Sequence, residues 1–245
     1  MYRHNDHFGY EIHGQTLGEA WLSLVEAIVN HGEECFDEGR KRLALQSVRL
    51  RSETQQTPDT LIHKYGNQEN LKKFIALTFS ESVMYDFDKT PSFSPGAKSY
   101  NQRIKEGKLL DFVIKRLSLI PESKKAVIVF LAREDYDAVL KNPKNDYLPC
   151  LVSMQFRLQQ RAGGYYVNTT CSFRSLDAFQ KAHGNLEAIG MMTKIVADGI
   201  ANRLFNGKKN IEYGYLDCII ADAHIYANTL DEAKSVVEAY QRGAR

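Results

Sequence analysis

The chain has 245 residues, 43% of them hydrophobic and 25% charged, which is enough apolar content to bury a sizeable core and excludes an intrinsically disordered protein. Its formal charge of +2 comes from scattered basic residues, with short runs only at Arg40-Lys41-Arg42 and Lys124-Lys125; that offers no basic stripe for bulk nucleic acid and leaves a small anionic ligand open. The four cysteines, Cys35, Cys150, Cys171 and Cys218, lie far apart without a C-x-x-C pair, and neither a signal-like start nor a membrane-length apolar run is present, so free thiols, no metal, no membrane and a cytoplasmic location are expected.

Taken in chain order, Thr16 to His31 has the spacing of an amphipathic helix. Trp21, Leu22, Leu24, Val25, Ile28 and Val29 share a face, Thr16 suits the cap and Gly32 the stop. Leu43 to Leu50 alternates like a strand, and a second helix is predicted over Asn70 to Phe79. Asp86 to Lys98, with Pro91, Pro95 and Gly96, reads as loop, and a third helix runs from about Lys108 to Leu119, before Pro121. Ala126 to Ala132 is a short buried strand by its β-branched run. Leu148 to Gln160 and Tyr166 to Arg174 flank a hairpin loop at Arg161-Ala162-Gly163-Gly164. A long helix over Leu186 to Leu204, a strand over Tyr215 to Ala221 and a last helix over Leu230 to Tyr240 complete the chain. No repeat or linker divides it, so residues 1–245 are expected to form one α/β (α+β) domain with a mixed sheet and flanking helices.

Taken singly, the reactive residues have two readings each. Cys150, after Leu148-Pro149, is either a small buried hydrophobe or a nucleophile. His224 beside Asp222 lacks further ligands at metal-binding spacing and otherwise reads as a hydrogen-bonded histidine at a strand end. Arg174-Ser175 with Asp177 is either a surface ion cluster or a phosphate site, since a guanidinium pairs with anionic oxygens.

Their order changes the odds. Leu148-Pro149-Cys150 followed by Gln155-Phe156, then Phe173-Arg174-Ser175-Leu176-Asp177, then Asn185 eight positions on, then Asp222-Ala223-His224-Ile225-Tyr226, resembles the motif series of the thymidylate synthase family over about Pro121 to Tyr226. The resemblance implies a large twisted mixed β-sheet and a homodimer whose sheets stack back to back. It also implies that Cys150 adds to carbon 6 of a pyrimidine nucleoside monophosphate, so that carbon 5 can receive a one-carbon unit from 5,10-methylenetetrahydrofolate. A free thiol has a pKa of about 8.5, and an adjacent arginine favours the anion. By the same resemblance Arg174 serves both Cys150 and the phosphate, Ser175 and Gln155 belong to the nucleotide site, Asn185 reads a uracil edge, His224 and Tyr226 hold the sugar hydroxyl, and Asp177 contacts the folate. Lys124 and Lys125 stand where the family has two arginines that cross to the partner's phosphate, and Arg40 or Arg42 stands where it has a mobile phosphate-binding arginine.

The wording of Phe173-Arg174-Ser175 and the short C-terminal part resemble archaeal-type members and nucleotide hydroxymethylases. Departures accompany the match. Leu151 replaces the histidine after the cysteine, the helix holding Leu71 to Leu77 has no glutamate where the family carries its catalytic one, and the tryptophans that cover folate are missing, Trp21 lying in the first helix. A methyltransferase, a hydroxymethylase acting on dUMP, dCMP or CMP, and a nucleotide-binding homologue without turnover all remain open.

Overall fold

The computed structural model describes residues 2–5, 9–85, 87–89, 97–141, 147–161 and 163–243. Strands β1 (Tyr2–Asn5) and β2 (Gly9–Gly14) precede helix α1 (Leu17–His31), whose Thr16 hydroxyl accepts from the Glu19 amide and whose end passes through Gly32 into β3 (Glu33–Asp37). Next come β4 (Arg40–Ser52), α2 (Thr60–Tyr65), α3 (Gln68–Phe79), α4 (Tyr100–Gly107) and α5 (Leu109–Leu119). The second half runs β5 (Val127–Val129), α6 (Arg133–Lys141), β6 (Leu151–Arg161), β7 (Gly164–Phe173), β8 (Leu176–Asp177), α7 (Ala182–Phe205), β9 (Ile211–Tyr226), a 3-10 turn at Ala227–Thr229 and α8 (Leu230–Gly243).

One nine-stranded mixed sheet results, in the order β1-β2-β4-β9-β7-β6-β5, with β3 on β4 and β8 on β9. The β6–β7 hairpin is antiparallel, β7 and β8 run parallel to β9, and β9 runs antiparallel to β4. Helices α1, α5 and α7 bring Trp21, Leu24, Ile28, Val113, Leu117, Ile189 and Val196 into one buried cluster with Leu50, Met154, Phe156, Cys171 and Ile220 of the strands. Gly184, early in α7, allows close packing on α3, because a Cβ there would lie 2.9 Å from that of Phe74. On the opposite sheet face Val127, Val129, Tyr215 and Ile219 stay exposed.

The expected elements are present with corrected bounds. The strand expected at 43–50 spans 40–52, the one at 215–221 runs on to 226, and the long helix begins at Ala182, which puts Asn185 inside its first turn. Elements β1, β2, β3, β8, α2, α4 and α6 were not expected. Of the expected loop at 86–98, positions 86 and 90–96 lie outside the described residues, as does Ala162 of the hairpin loop.

The extra length of β9 has a local cause. Leu216, Cys218 and Ile220 face the core, whereas Ala223 and Ile225 do so further on, and β4 switches likewise from Leu50 and Val48 to Leu45. At the switch Ser47 takes the left-handed backbone, with φ 55. The interruption skips one residue in each strand and leaves the register unchanged, but it shifts which alternate side chains face inward, and it turns Asp222 and His224 away from the side of the sheet that their strand parity would otherwise give them.

Candidate active site

Cys150 lies one residue before β6, half-buried, and its carbonyl accepts from the Arg174 amide at 3.0 Å where β7 ends. That bond puts the Arg174 side chain beside the cysteine. Its Nη2 lies 4.0 Å from Cys150 Sγ and donates to the Leu148 carbonyl, while Nε donates to the Pro149 carbonyl at 3.2 Å. The guanidinium thus places a positive charge beside the sulfur.

Two tyrosines close the other side. Tyr100, the first residue of α4, accepts from the Leu151 amide at 3.0 Å, and its hydroxyl is hydrogen-bonded to that of Tyr147. Burial pushes both phenols up, and the neighbouring Cys150 adds to the effect. Tyr100 packs edge-on against Phe130, with ring centroids 5.3 Å apart, and tilted against Phe74 of α3 at 6.3 Å. Three residues on, Arg103 makes a buried bidentate pair with Asp135 of α6, both bonds 2.7 Å, and donates to the Phe130 carbonyl, which fixes α4. The residues Tyr100 and Tyr147 were missing from the expected site, although the Tyr100-Asn101-Gln102-Arg103 segment faintly resembles the family's tyrosine-glycine segment.

From Arg174 the chain passes through half-buried Ser175 into β8, where Asp177 pairs in register with His224 and the Ala178 amide donates to the His224 carbonyl. The Asp177 carboxylate is buried and occupied: it accepts from the Phe179 and Gln180 amides at 3.1 and 2.9 Å and from Gln180 Nε2 at 2.8 Å. The turn it caps delivers Lys181, whose ammonium meets Asp88 at 3.0 Å and whose carbonyl accepts from both the amide and Nδ2 of Asn185. His183 in the same turn is buried against Trp21, ring centroids 5.3 Å apart, with neither ring nitrogen in hydrogen-bond geometry. Burial pushes its pKa down to about 4, only partly opposed by the Asn67 and Phe179 carbonyls.

A second polar cluster spans β3, β4 and β9. His224 Nδ1 contacts Asp222 Oδ1 at 2.8 Å, Arg42 Nη1 also donates to that oxygen, and Tyr226 donates to Asp37 Oδ2 at 2.8 Å. Burial alone would raise Asp222; the His224 and Arg42 contacts outweigh it and hold the carboxyl below its ordinary value. Arg40 sits over the Tyr226 ring, 5.2 Å from its centroid, and pairs with Glu38 at 3.0 Å. Arg40 and Arg42 thus both reach this cluster, Arg42 through Asp222 and Arg40 through Tyr226.

The strands and turns therefore assemble Cys150, Arg174, Ser175, Asp177, Asn185, His224 and Tyr226 along connected backbone. Gln155 stands apart: with Met154 and Phe156 in the core it points to the other face, where its amide donates to the Lys124 carbonyl at 2.9 Å. Exposed Lys124 and Lys125 lie on that same edge. Beside the Asp177–Gln180 turn opens a cleft of about 610 Å³ walled by Trp21, Tyr65, Phe87 and Phe179, with Asn67, Asn70 and Lys89 among its polar residues. Trp21 comes to it from α1, its indole donating to the Ala178 carbonyl at 2.8 Å. Among the described residues no cluster of histidine, cysteine or carboxylate side chains suits a metal ion, and no helix is long and apolar enough to cross a membrane.

Comparison with known proteins agrees with the motif order. The chain is similar to archaeal proteins each named "Putative thymidylate synthase". That of Methanosarcina barkeri is 24% identical over 237 residues, 94% of this chain and 95% of the relative. That of Methanothermobacter marburgensis is 26% identical over 246 residues, covering 94% and 98%, and that of Methanococcoides burtonii 22% over 243 residues, covering 97% and 99%. The family model described as Thymidylate synthase matches residues 88–244, more than half of the chain and every motif from Cys150 to Tyr226. The chain belongs to the thymidylate synthase family.

Proposed function

We propose that the protein transfers a one-carbon unit to carbon 5 of a uracil nucleoside monophosphate, with Cys150 as nucleophile and methylenetetrahydrofolate as co-substrate. The observation that carries this reading is the Arg174 guanidinium 4.0 Å from Cys150 Sγ, with Asn185 and His224 joined to it through the Arg174–Asp177 chain. Arg174 is exposed and, among the described residues, holds only carbonyls and the sulfur, so an incoming phosphate can take over its donors.

The thiolate of Cys150 adds to carbon 6, the ring's π electrons move towards carbon 4 and its oxygen, and carbon 5 becomes nucleophilic. Arg174, 4.0 Å from the sulfur, places positive charge beside the reacting atoms and balances phosphate charge during the step. Asn185 both donates and accepts, matching the uracil N3–H and O4, and the rigid first turn of α7 fixes it. His224, oriented by Asp222, and Tyr226 stand for the sugar hydroxyl. Methylenetetrahydrofolate, when bound, supplies the methylene carbon. Its flat rings suit the aromatic cleft beside Asp177, and the amide groups of Asn67 and Asn70 suit its polar atoms. With its oxygens held by the turn, Asp177 acts there by shaping the cleft.

The exposed face carrying Val127, Val129 and Ile219 supports a homodimer through stacked sheets, with Lys124 and Lys125 at its edge towards a partner's phosphate. Sedimentation as a monomer would remove that role. The deciding experiment is incubation with carbon-5-tritiated deoxyuridylate and methylenetetrahydrofolate, with tritium release followed and the product weighed. A methylated product identifies a synthase and a hydroxymethylated one a hydroxymethylase. Absence of release from uridylates and cytidylates alike would overturn transfer.

One observation favours a second reading, a nucleotide-binding homologue without turnover. No carboxylate of α3 reaches Tyr100: Phe74 packs there, and Glu69 is exposed and tied to Lys73 at 2.6 Å. Tight nucleotide binding without tritium release would support it.

A further inference from the structure

A second cleft, of about 510 Å³, opens between the Thr57-Pro58 connection, α2, α3 and α7, and shares no lining residue with the cleft beside Asp177. Pro58, Leu71, Ile75 and Met191 make its walls apolar, and Glu187 supplies its one carboxylate. That carboxylate is buried, 4% exposed, and short of donors. It accepts from the Asp59 amide at a long 3.3 Å and faces His63 Nε2 at 3.6 Å. Among the described residues no lysine or arginine pairs with it: Lys72 lines the same cleft without reaching it. Gln68, the other polar group on that side, has its amide nitrogen committed to the His63 and Gly66 carbonyls at 2.9 Å each.

An ionised carboxylate accommodates about four donors, and one buried with a single long bond is costly unless a cation joins it. Burial indeed pushes the Glu187 carboxyl up, with nearby Asp59 adding to the rise and the Asp59 amide and His63 opposing it. The volume is within the range of small-molecule sites. An anion is disfavoured by the Glu187 carboxylate, while the Lys72 ammonium in the same lining disfavours a multiply charged cation.

We propose that this cleft is a binding site for a singly charged primary ammonium compound with a short apolar body, the ammonium on Glu187 and the body against Leu71, Ile75 and Met191. Glu187 lies two positions after Asn185 on α7, so an occupant would contact the helix that carries the proposed base-reading residue.

Calorimetric titration of the full chain with n-hexylammonium, n-hexanol and n-hexanoate tests this. Hexylammonium is expected to bind at least tenfold more tightly than hexanol, and hexanoate not at all. Glu187→Gln should bring hexylammonium down to the level of hexanol, and Met191→Trp, which fills the cleft and keeps the carboxylate, should abolish both. Equal binding of hexylammonium and hexanol, no binding of either, or ammonium binding that survives Glu187→Gln in a natively folded variant would overturn the proposal. Should Glu187→Gln fail to fold, undiminished ammonium binding by Met191→Trp would overturn it instead.

Discussion

On the sheet side of the candidate site, polar residues hold one another in adjoining contacts, Arg42 and His224 on Asp222 and Tyr226 on Asp37. On the helical side, α3 and α4 meet through aromatic rings, Phe74 on Tyr100 and Tyr100 on Phe130, and the hydroxyl pair Tyr100–Tyr147 neighbours the cysteine. A polar chain on a rigid sheet is prepared to bind a charged, hydroxyl-bearing ligand before any chemistry occurs. Buried phenols with raised pKa values give up protons reluctantly, so the helical side has little of the acid–base capacity that a proton transfer at carbon 5 asks for. On the proposed function, binding and turnover would fall to different halves of the site, and perturbing one should leave the other measurable.

The largest expected effect falls on turnover alone. Cys150→Ala removes the proposed nucleophile without touching the Arg42–Asp222–His224 chain, and tritium release should fall by about a thousandfold or more, as expected when covalent catalysis is lost. Nucleotide affinity measured by calorimetry should change only a few-fold. A variant that loses affinity as strongly as turnover would join the two halves and break the comparison.

The next effect belongs to the helical side. Arg103 and Asp135 are each less than a tenth exposed and exchange two charge-assisted hydrogen bonds. Asp135→Ala leaves the guanidinium buried and unpaired, at a cost of about 3–5 kcal/mol, readable in a urea titration. Since Arg103 anchors α4, Tyr100 should loosen with it, and turnover should drop further than nucleotide affinity.

How much of this was readable beforehand depended on periodicity and on motif order. Helix α1 announced itself through Trp21, Leu24, Val25 and Ile28, and the β6–β7 hairpin through alternation around Gly163-Gly164. The strand expected at 215–221 stops where the interruption at Ser47 and Ala221 shifts the inward parity, because a period-two reading ends where the period slips. Helices α2 and α6 are too short, at 6 and 9 residues, to show an apolar stripe. In the site, Cys150, Arg174, Asn185 and His224 stood out only as an ordered set. Tyr147 and Asp37 left no such trace, since their positions follow from packing against Tyr100 and from the β3–β4 pairing.

A third test uses acid. His183 is neutral in the fold, with a pKa of about 4, while the unfolded chain binds a proton at the ordinary 6.5. Its folded value is depressed, so stability is full above pH 6.5 and is lost as the pH falls from 6.5 towards 4. The loss amounts to about 3 kcal/mol. Because His183 lies in the turn that carries Asn185, acid should weaken the binding half before the sheet yields. His183→Phe should flatten that part of the pH–stability curve in thermal melts, and an unchanged curve would show that another group controls it.

The smallest effect sharpens the binding half most finely. Asn185 is buried, and its Nδ2 already donates to the Lys181 carbonyl, so its orientation is set before a base arrives. A fixed amide can offer one donor and one acceptor to uracil, whose edge at this position presents N3–H and O4. Cytosine presents an acceptor and an amino donor instead, which an aspartate matches better once it shares a proton with N3. Asn185→Asp should therefore shift the ratio of affinities from uridylate towards cytidylate by about ten- to a hundredfold, or about 1.4–2.7 kcal/mol, the scale of one mismatched hydrogen-bonding pair in a buried site. Competitive calorimetry with the two monophosphates measures that ratio without requiring turnover, so it applies to a synthase, a hydroxymethylase and an inactive homologue alike. Should the substitution weaken both nucleotides equally, Asn185 would be holding the Asp177–Lys181 turn in place, and the base would be read elsewhere along α7.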